Sequence, residues 1–176
     1  MEIKKIGLIL ALASSSSLVN AEIRIGVVTS SSGPIAMVGI PQKNSIALLP
    51  KTIGGEAVKY FSLDDASDPT ASVKAVTKLI SENNVDAIIG PSGSPNAMAV
   101  IGTIAKAGVP LLAPVGTASV VLPMDAQKKW VFKTTQNDNL IATAIIDDMV
   151  KRGYKTVGFI GTSDPYGENW KKVFSD

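Results

Sequence analysis

The chain has 176 residues, 45% hydrophobic and 18% charged, with a formal net charge of +2 and neither cysteine nor histidine. This composition fits a packed globular domain and excludes disordered, collagen-like and disulfide-dense classes. The two missing residue types also remove thiolate nucleophiles, Cys/His zinc sites and imidazole-based triads, and four Phe, three Tyr and two Trp scattered along a near-neutral chain make no basic, aromatic-interleaved face for nucleic acid.

The first 21 residues carry the parts of a secretion signal in order: Lys4 and Lys5, an apolar run over residues 6–13, and the small-residue stop Val19-Asn20-Ala21. The run is far shorter than the roughly 20 residues of a membrane span. Glu22 stands where a lipid-bearing cysteine would be required. Cleavage after Ala21 and a periplasmic location without a lipid anchor are the expectations.

Residues 23–28 alternate β-branched and small side chains and end in a Ser/Gly/Pro turn, the pattern of a buried strand. A helix is expected from Val38 or Pro41 to Leu49, where Pro50 and Gly54-Gly55 stop it, and residues 57–63 give a second strand. Asp68 is placed to cap a helix with Pro69 at its first position, and Val73, Val76, Leu79 and Ile80 form its apolar stripe. A wholly apolar strand follows at 87–89. The next helix, closed by Gly108, turns Ala97, Val100, Ile101, Ile104 and Ala105 inward, and a fourth strand spans 109–113.

A fifth strand over 130–133, a helix over 137–152 with Asn137-Asp138 at its start, and a sixth strand over 156–160 complete the series, with Trp130 and Phe132 expected to pack inside. Apolar strands alternating with amphipathic helices predict an α/β fold with an open parallel sheet covered on both faces through right-handed crossovers. Ligands in such sheets bind beyond the carboxyl ends of the strands. The loops there are rich in hydroxyls and glycines, which suits a carboxylate held by N–H and O–H donors at helix N-termini. Asp64, Asp65 and Asp68 read as turn and cap residues rather than a metal site. No phosphate-binding glycine motif or S-x-x-K arrangement accompanies the serines.

With these loops placed, the words Ile25-Gly-Val-Val-Thr, Ser32-Gly-Pro-Ile-Ala, Leu63-Asp-Asp-Ala-Ser-Asp-Pro69, Ile88-Ile-Gly-Pro, Val109-Pro-Leu-Leu-Ala-Pro114 and Tyr166-Gly-Glu168 stand in one order and spacing. In this the chain resembles the type I periplasmic solute-binding proteins of the leucine/isoleucine/valine receptor family. The resemblance implies a lobe over residues 22–136 with strand order 2-1-3-4-5, and the start of a second lobe over 137–176. It implies a substrate-binding component of an ABC importer for branched-chain amino acids or a related small carboxylate or amide. A ligand-sensing extracellular module of the same fold is the alternative, and in neither case is an enzyme or a cofactor expected. It places Ser92, Gly93 and Ser94 in a first ligand loop, Val115, Gly116, Thr117 and Ala118 in a second, and Tyr166 across the cleft. Val38 stands near the position where several members carry an aromatic residue. The implied partners are a small-molecule ligand and an inner-membrane permease, the full-length receptor being monomeric. Family members are about twice as long, so the chain is expected to stop inside its second lobe and, alone, to bind ligand weakly or not at all.

Overall fold

The computed structural model describes residues 22–175, so the expected secretion signal at residues 1–21 lies outside the described residues. Among the described residues no helix is long and apolar enough to cross a membrane.

Five strands run parallel: β1 (Ile23–Thr29), β3 (Glu56–Asp64), β4 (Ala87–Ile89), β5 (Leu111–Ala113) and β6 (Val131–Lys133). β2 (Thr52–Ile53) joins β3 antiparallel at the sheet edge. The turn between them is Gly54-Gly55, both at positive φ, which a two-residue hairpin of this kind demands. The sheet order is β2-β3-β1-β4-β5-β6, so without the edge hairpin the parallel strands follow the expected 2-1-3-4-5.

The helices are α1 (Ala36–Ser45), α2 (Pro69–Ser81), α3 (Ser94–Ala107), α4 (Asp138–Lys151) and α5 (Pro165–Ser175). The start of α2 is as the sequence predicts: Pro69 occupies its first turn and Asp68 accepts a hydrogen bond from Ala71 N at 2.6 Å. Its buried residues Ser72, Ala75, Val76 and Leu79 recur at helical spacing and meet the buried face of α3, Ala97, Val100, Ile101 and Ile104. α3 ends where Gly108 turns to φ +68 and its N–H reaches Ile104 O, a left-handed cap.

Strand register decides which residues meet this helix pair. Ile88 pairs with Leu111, and Leu111 with Val131, and all three are buried in the core. Their neighbours Ile89, Leu112 and Phe132 point to the opposite face by the period-2 rule. Burying a side chain such as Leu79 or Ile88 contributes roughly 1.5–3 kcal/mol, and the main cluster of buried apolar side chains lies on the α2–α3 side.

Helices lie on both faces, but unevenly. The right-handed crossover from β1 out to β3 puts α1 on the face away from α2 and α3. There α1 buries only Gly39, and Phe132 is 54% exposed. The expectation that Phe132 packs inside is thus corrected, because its strand position faces the thinly covered side.

The expected strand at 156–160 does not form. Residues 154–162 have no regular structure, and Val157, Phe159 and Ile160 are exposed. A strand's hydrogen bonds belong to the pair, and among the described residues no strand lies beside this segment to share them. Asn137 takes the cap position of α4 but makes no side-chain capping bond.

Candidate functional site

Chain topology sets the place of the site. β1 leads away to β3 on one side while β4 lies on its other side, so the loops after β1 and β4 part and leave a crevice at the carboxyl edge of the sheet. A cavity of about 630 Å³ occupies this crevice. Its walls come from the loop after β1 with the start of α1 (Ile35, Val38), the turn after β3 (Ser67, Pro69), the loop after β4 entering α3 (Ser92, Ser94, Asn96), the loop after β5 (Val115, Gly116) and the segment entering α5 (Asp164, Tyr166).

Hydrogen bonds hold these loops in place. Ser30 N donates to Ser92 Oγ at 3.0 Å, which ties the end of β1 to the loop after β4 and leaves the Ser92 hydroxyl its own proton to donate. Ser67 Oγ donates to Ser32 O at 2.7 Å and accepts from Ile35 N at 3.1 Å. Ser32 N and Ala66 N both donate to Asp64 Oδ1. For the Asp64 carboxyl, burial pushes the pKa up, but hydrogen bonds from Ser32, the Ala66 N–H and Ser31 outweigh it and hold the group below its ordinary value. In the loop after β5, Thr135 Oγ1 donates to Val115 O at 2.6 Å. α1 comes so close to the end of β1 that a Cβ on Gly39 would overlap the Ser30 carbonyl, so a side chain there would move Val38 with the helix.

Of the nine residues expected to face a ligand, Val38, Ser92, Gly93, Ser94, Val115, Gly116 and Tyr166 line the one cavity. Thr117 and Ala118 do not. Thr117 is fully buried, and its Oγ1 accepts from Ser119 N at 3.3 Å as the chain enters the short 3-10 turn Ala118–Val120. Tyr166 is 46% exposed and meets Trp170 edge-on.

Sequence reasoning passed over Ile35, Ser67 and Asn96 as lining residues. Asn96 carried a legible signal. It is a polar residue on the first turn of α3, one position before the apolar stripe that starts at Ala97, and it is buried.

Among the described lining residues Asp164 is the single charged one. Its Oδ1 already accepts from Tyr166 N and Gly167 N at 2.8 and 3.0 Å, capping α5. Just behind Gly116 lies the buried carboxylate of Asp138, which accepts from Asn169 Nδ2 at 2.6 Å. Burial raises its pKa, while the Asn169 hydrogen bond and the charge of Lys133 pull it partly back. Burial lowers the pKa of Lys133 in turn. The cleft therefore offers hydroxyl and amide donors and the N-terminal end of α3, set among apolar walls from Ile35, Val38, Val115 and four prolines, Pro34, Pro69, Pro95 and Pro114. Such a surface suits an acceptor-rich small molecule with an apolar body.

A family profile described as periplasmic binding protein matches residues 22–176. The chain is 29% identical over 167 residues to the Leu/Ile/Val-binding protein BraC3 of Rhizobium johnstonii, a match covering 89% of this chain and 44% of that protein. A crystal structure of an extracellular ligand-binding receptor from Rhodopseudomonas palustris HaA2 superposes with a TM-score of 0.85 at 48% identity, over 88% of this chain and 43% of that one. A solute-binding protein of an R. palustris ABC transporter, solved with 4-hydroxybenzoate, shares the fold at a TM-score of 0.78 and 24% identity, over 88% of this chain and 43% of that one. The chain thus spans less than half the length of the relatives it matches.

Proposed function

Because the chain belongs to the periplasmic binding protein family, we propose that it forms one wall of the ligand cleft of an extracytoplasmic receptor, which captures a small carboxylate and presents it to an inner-membrane ABC permease. The observation that carries this reading is the single cavity in which Ser92, Gly93 and Ser94, at the start of α3, meet Gly116 of the loop after β5. These loops supply N–H and O–H donors on one side of an apolar pocket, the chemistry that holds a carboxylate without a counter-charge.

Residues 22–136 would be the first lobe, and residues 137–176 would begin a second, with Tyr166 reaching the ligand from that side. The irregular, exposed stretch at 154–162 supports this division, since its apolar residues suit a sheet that the described residues do not contain. The signal pattern in residues 1–21 supports export. The role is binding without chemistry, and the full-length receptor acts as a monomer.

The Rhizobium relative is named for leucine, isoleucine and valine, and the more distant Rhodopseudomonas structure holds 4-hydroxybenzoate. Both ligand kinds join a carboxylate to an apolar body, which is the class assigned here. The test is a protein-observed NMR titration of the chain with L-leucine and with 4-hydroxybenzoate. At least one is expected to shift the amide signals of Gly93, Ser94 and Gly116 together, in fast exchange, with a Kd above about 1 mM as fits a single wall. If neither ligand moves these amides, the reading fails.

A further inference from the structure

Beneath the cleft floor lies a buried carboxylate whose contacts the ligand reading does not use. Asp65, just past β3, is fully buried, and its two oxygens accept four hydrogen bonds. Oδ1 accepts from Ser30 Oγ at 2.7 Å and from Ser67 N at 3.0 Å. Oδ2 accepts from Ser72 Oγ at 2.7 Å and from Asn96 Nδ2 at 3.0 Å. Asn96 Nδ2 also reaches Ser72 Oγ at 2.7 Å. The donors come from four places: the loop after β1, the turn after β3, α2 and α3. Ser30, Ser72 and Asn96 are themselves buried.

Two of these partners lead directly to the cleft. Ser30 N holds Ser92 Oγ. The other oxygen-bearing end of the Asn96 side chain packs against Gly93, where a Cβ would come 2.8 Å from Asn96 Oδ1. Asn96 and Ser67 line the cavity as well. The serine loop is thus held at one end by the backbone N–H of Ser30, whose side chain Asp65 anchors, and at the other by the Asn96 side chain, from which Asp65 also accepts. A group with four acceptor bonds shared among four elements fixes their relative positions far more tightly than apolar contact does.

Taking the cleft reading above as given, we propose that Asp65 is the positioning residue of the cleft: through Ser30 and Asn96 it sets the placement of Ser92, Gly93 and Ser94, and so the strength with which they hold a ligand's carboxylate. It touches no ligand itself. Asp65→Asn keeps the shape but turns an N–H₂ toward either the Ser30/Ser67 pair or the Ser72/Asn96 pair, setting donor against donor. The double variant Asp65→Asn with Asn96→Asp exchanges the two partners and restores one donor facing one acceptor.

The experiment follows the backbone amides of residues 92–94 by NMR in the chain without ligand, alongside the thermal midpoint, and repeats the titration with L-leucine and 4-hydroxybenzoate. Asp65→Asn is expected to shift those amides and weaken binding of the responding ligand about tenfold, with the double variant returning the ligand-free amide signals toward wild type. A lowered midpoint with the 92–94 amides and the affinity unchanged overturns the proposal and leaves Asp65 a stabilising residue only. Failure of the double variant to recover the loop signals also overturns it. If wild type answers to neither ligand, the receptor reading falls, while the ligand-free loop signals still decide the role of Asp65. Should Asp65→Asn not fold, Ser72→Ala removes one of the four bonds and is read in the same way.

Discussion

Asn169 Nδ2 donates to Asp138 Oδ2 at 2.6 Å, joining α5 to the first turn of α4. The carboxylate of Asp138 also lies against Gly116, where a Cβ would come 2.7 Å from Oδ1. One buried acid therefore links the helix that carries Tyr166 to the loop after β5.

Burial lifts the Asp138 carboxyl above its ordinary value of 3.8, and Asn169 and Lys133 offset only part of the lift. The folded chain then holds this proton more tightly than the unfolded chain does. The group favours folding below pH 3.8, and that contribution is lost as pH rises through the lifted value. Asp138→Asn removes the titration. Urea unfolding across the acid range should show the stability of the variant, minus that of wild type, growing with pH and then levelling. A difference that stays flat would contradict the assignment.

Gly116→Ala places a methyl against the same carboxylate. Either the loop or α4 must shift, at a cost of roughly 1–3 kcal/mol. Because Gly116 lines the cleft, we expect the variant to weaken binding of the responding ligand in the NMR titration as well as to lower the urea midpoint. Unchanged affinity would show that the loop after β5 does not contact ligand.

Leu79 has no exposed surface, and its Cδ1 would lie 2.9 Å from a Cβ on Gly26 of β1. Leu79→Ala should cost about 2–5 kcal/mol in urea unfolding. Gly26→Ala is expected to destabilise wild type but to recover part of the loss in the Leu79→Ala background, since its methyl enters the space vacated. Simple additivity of the two changes would refute that packing relation.

Asp68→Ala removes the side-chain cap of α2 and should lower stability by about 1 kcal/mol, read from the urea midpoint. Asp68→Asn, which keeps an acceptor oxygen, should recover most of it. Equal losses in the two variants would mean that the cap bond is not the source.

The parallel sheet and the bounds of α2 and α3 were legible because their signals are local, whereas the strand order came from the family resemblance alone. Asp68-Pro69 marks a start, Gly108 marks a stop, and the apolar residues between them recur at helical spacing. The strand at 156–160 misled because β-branched sequence states a preference that only a neighbouring strand can satisfy. Phe132 misled for a related reason: alternation along three residues does not say which face will be covered. The glycines and hydroxyls of the loops after β4 and β5 pointed to Ser92, Gly93, Ser94 and Gly116, which line the cavity. Thr117 lies outside that lining, its Oγ1 accepting from Ser119 N, a contact two residues away that residue type alone does not reveal. Asp65 looked like half of an acidic pair at a turn, and only the fold shows that Asp64 stays exposed while Asp65 is enclosed by donors from distant segments.

The described cleft lining contains no lysine or arginine. Its pull on an anion comes from hydroxyls and aligned peptide groups, whose reach fades within about one helical turn, whereas a net charge acts over a Debye length of about 8 Å in physiological salt. Ligand would then arrive by unguided collision. Raising ionic strength from about 0.01 M to about 0.15 M should leave its association rate nearly constant, and a steep fall would point to a cationic guide elsewhere. On that reading such a wall would keep much of its hold on an acid as salt rises, losing only the screened share that the helix terminus contributes.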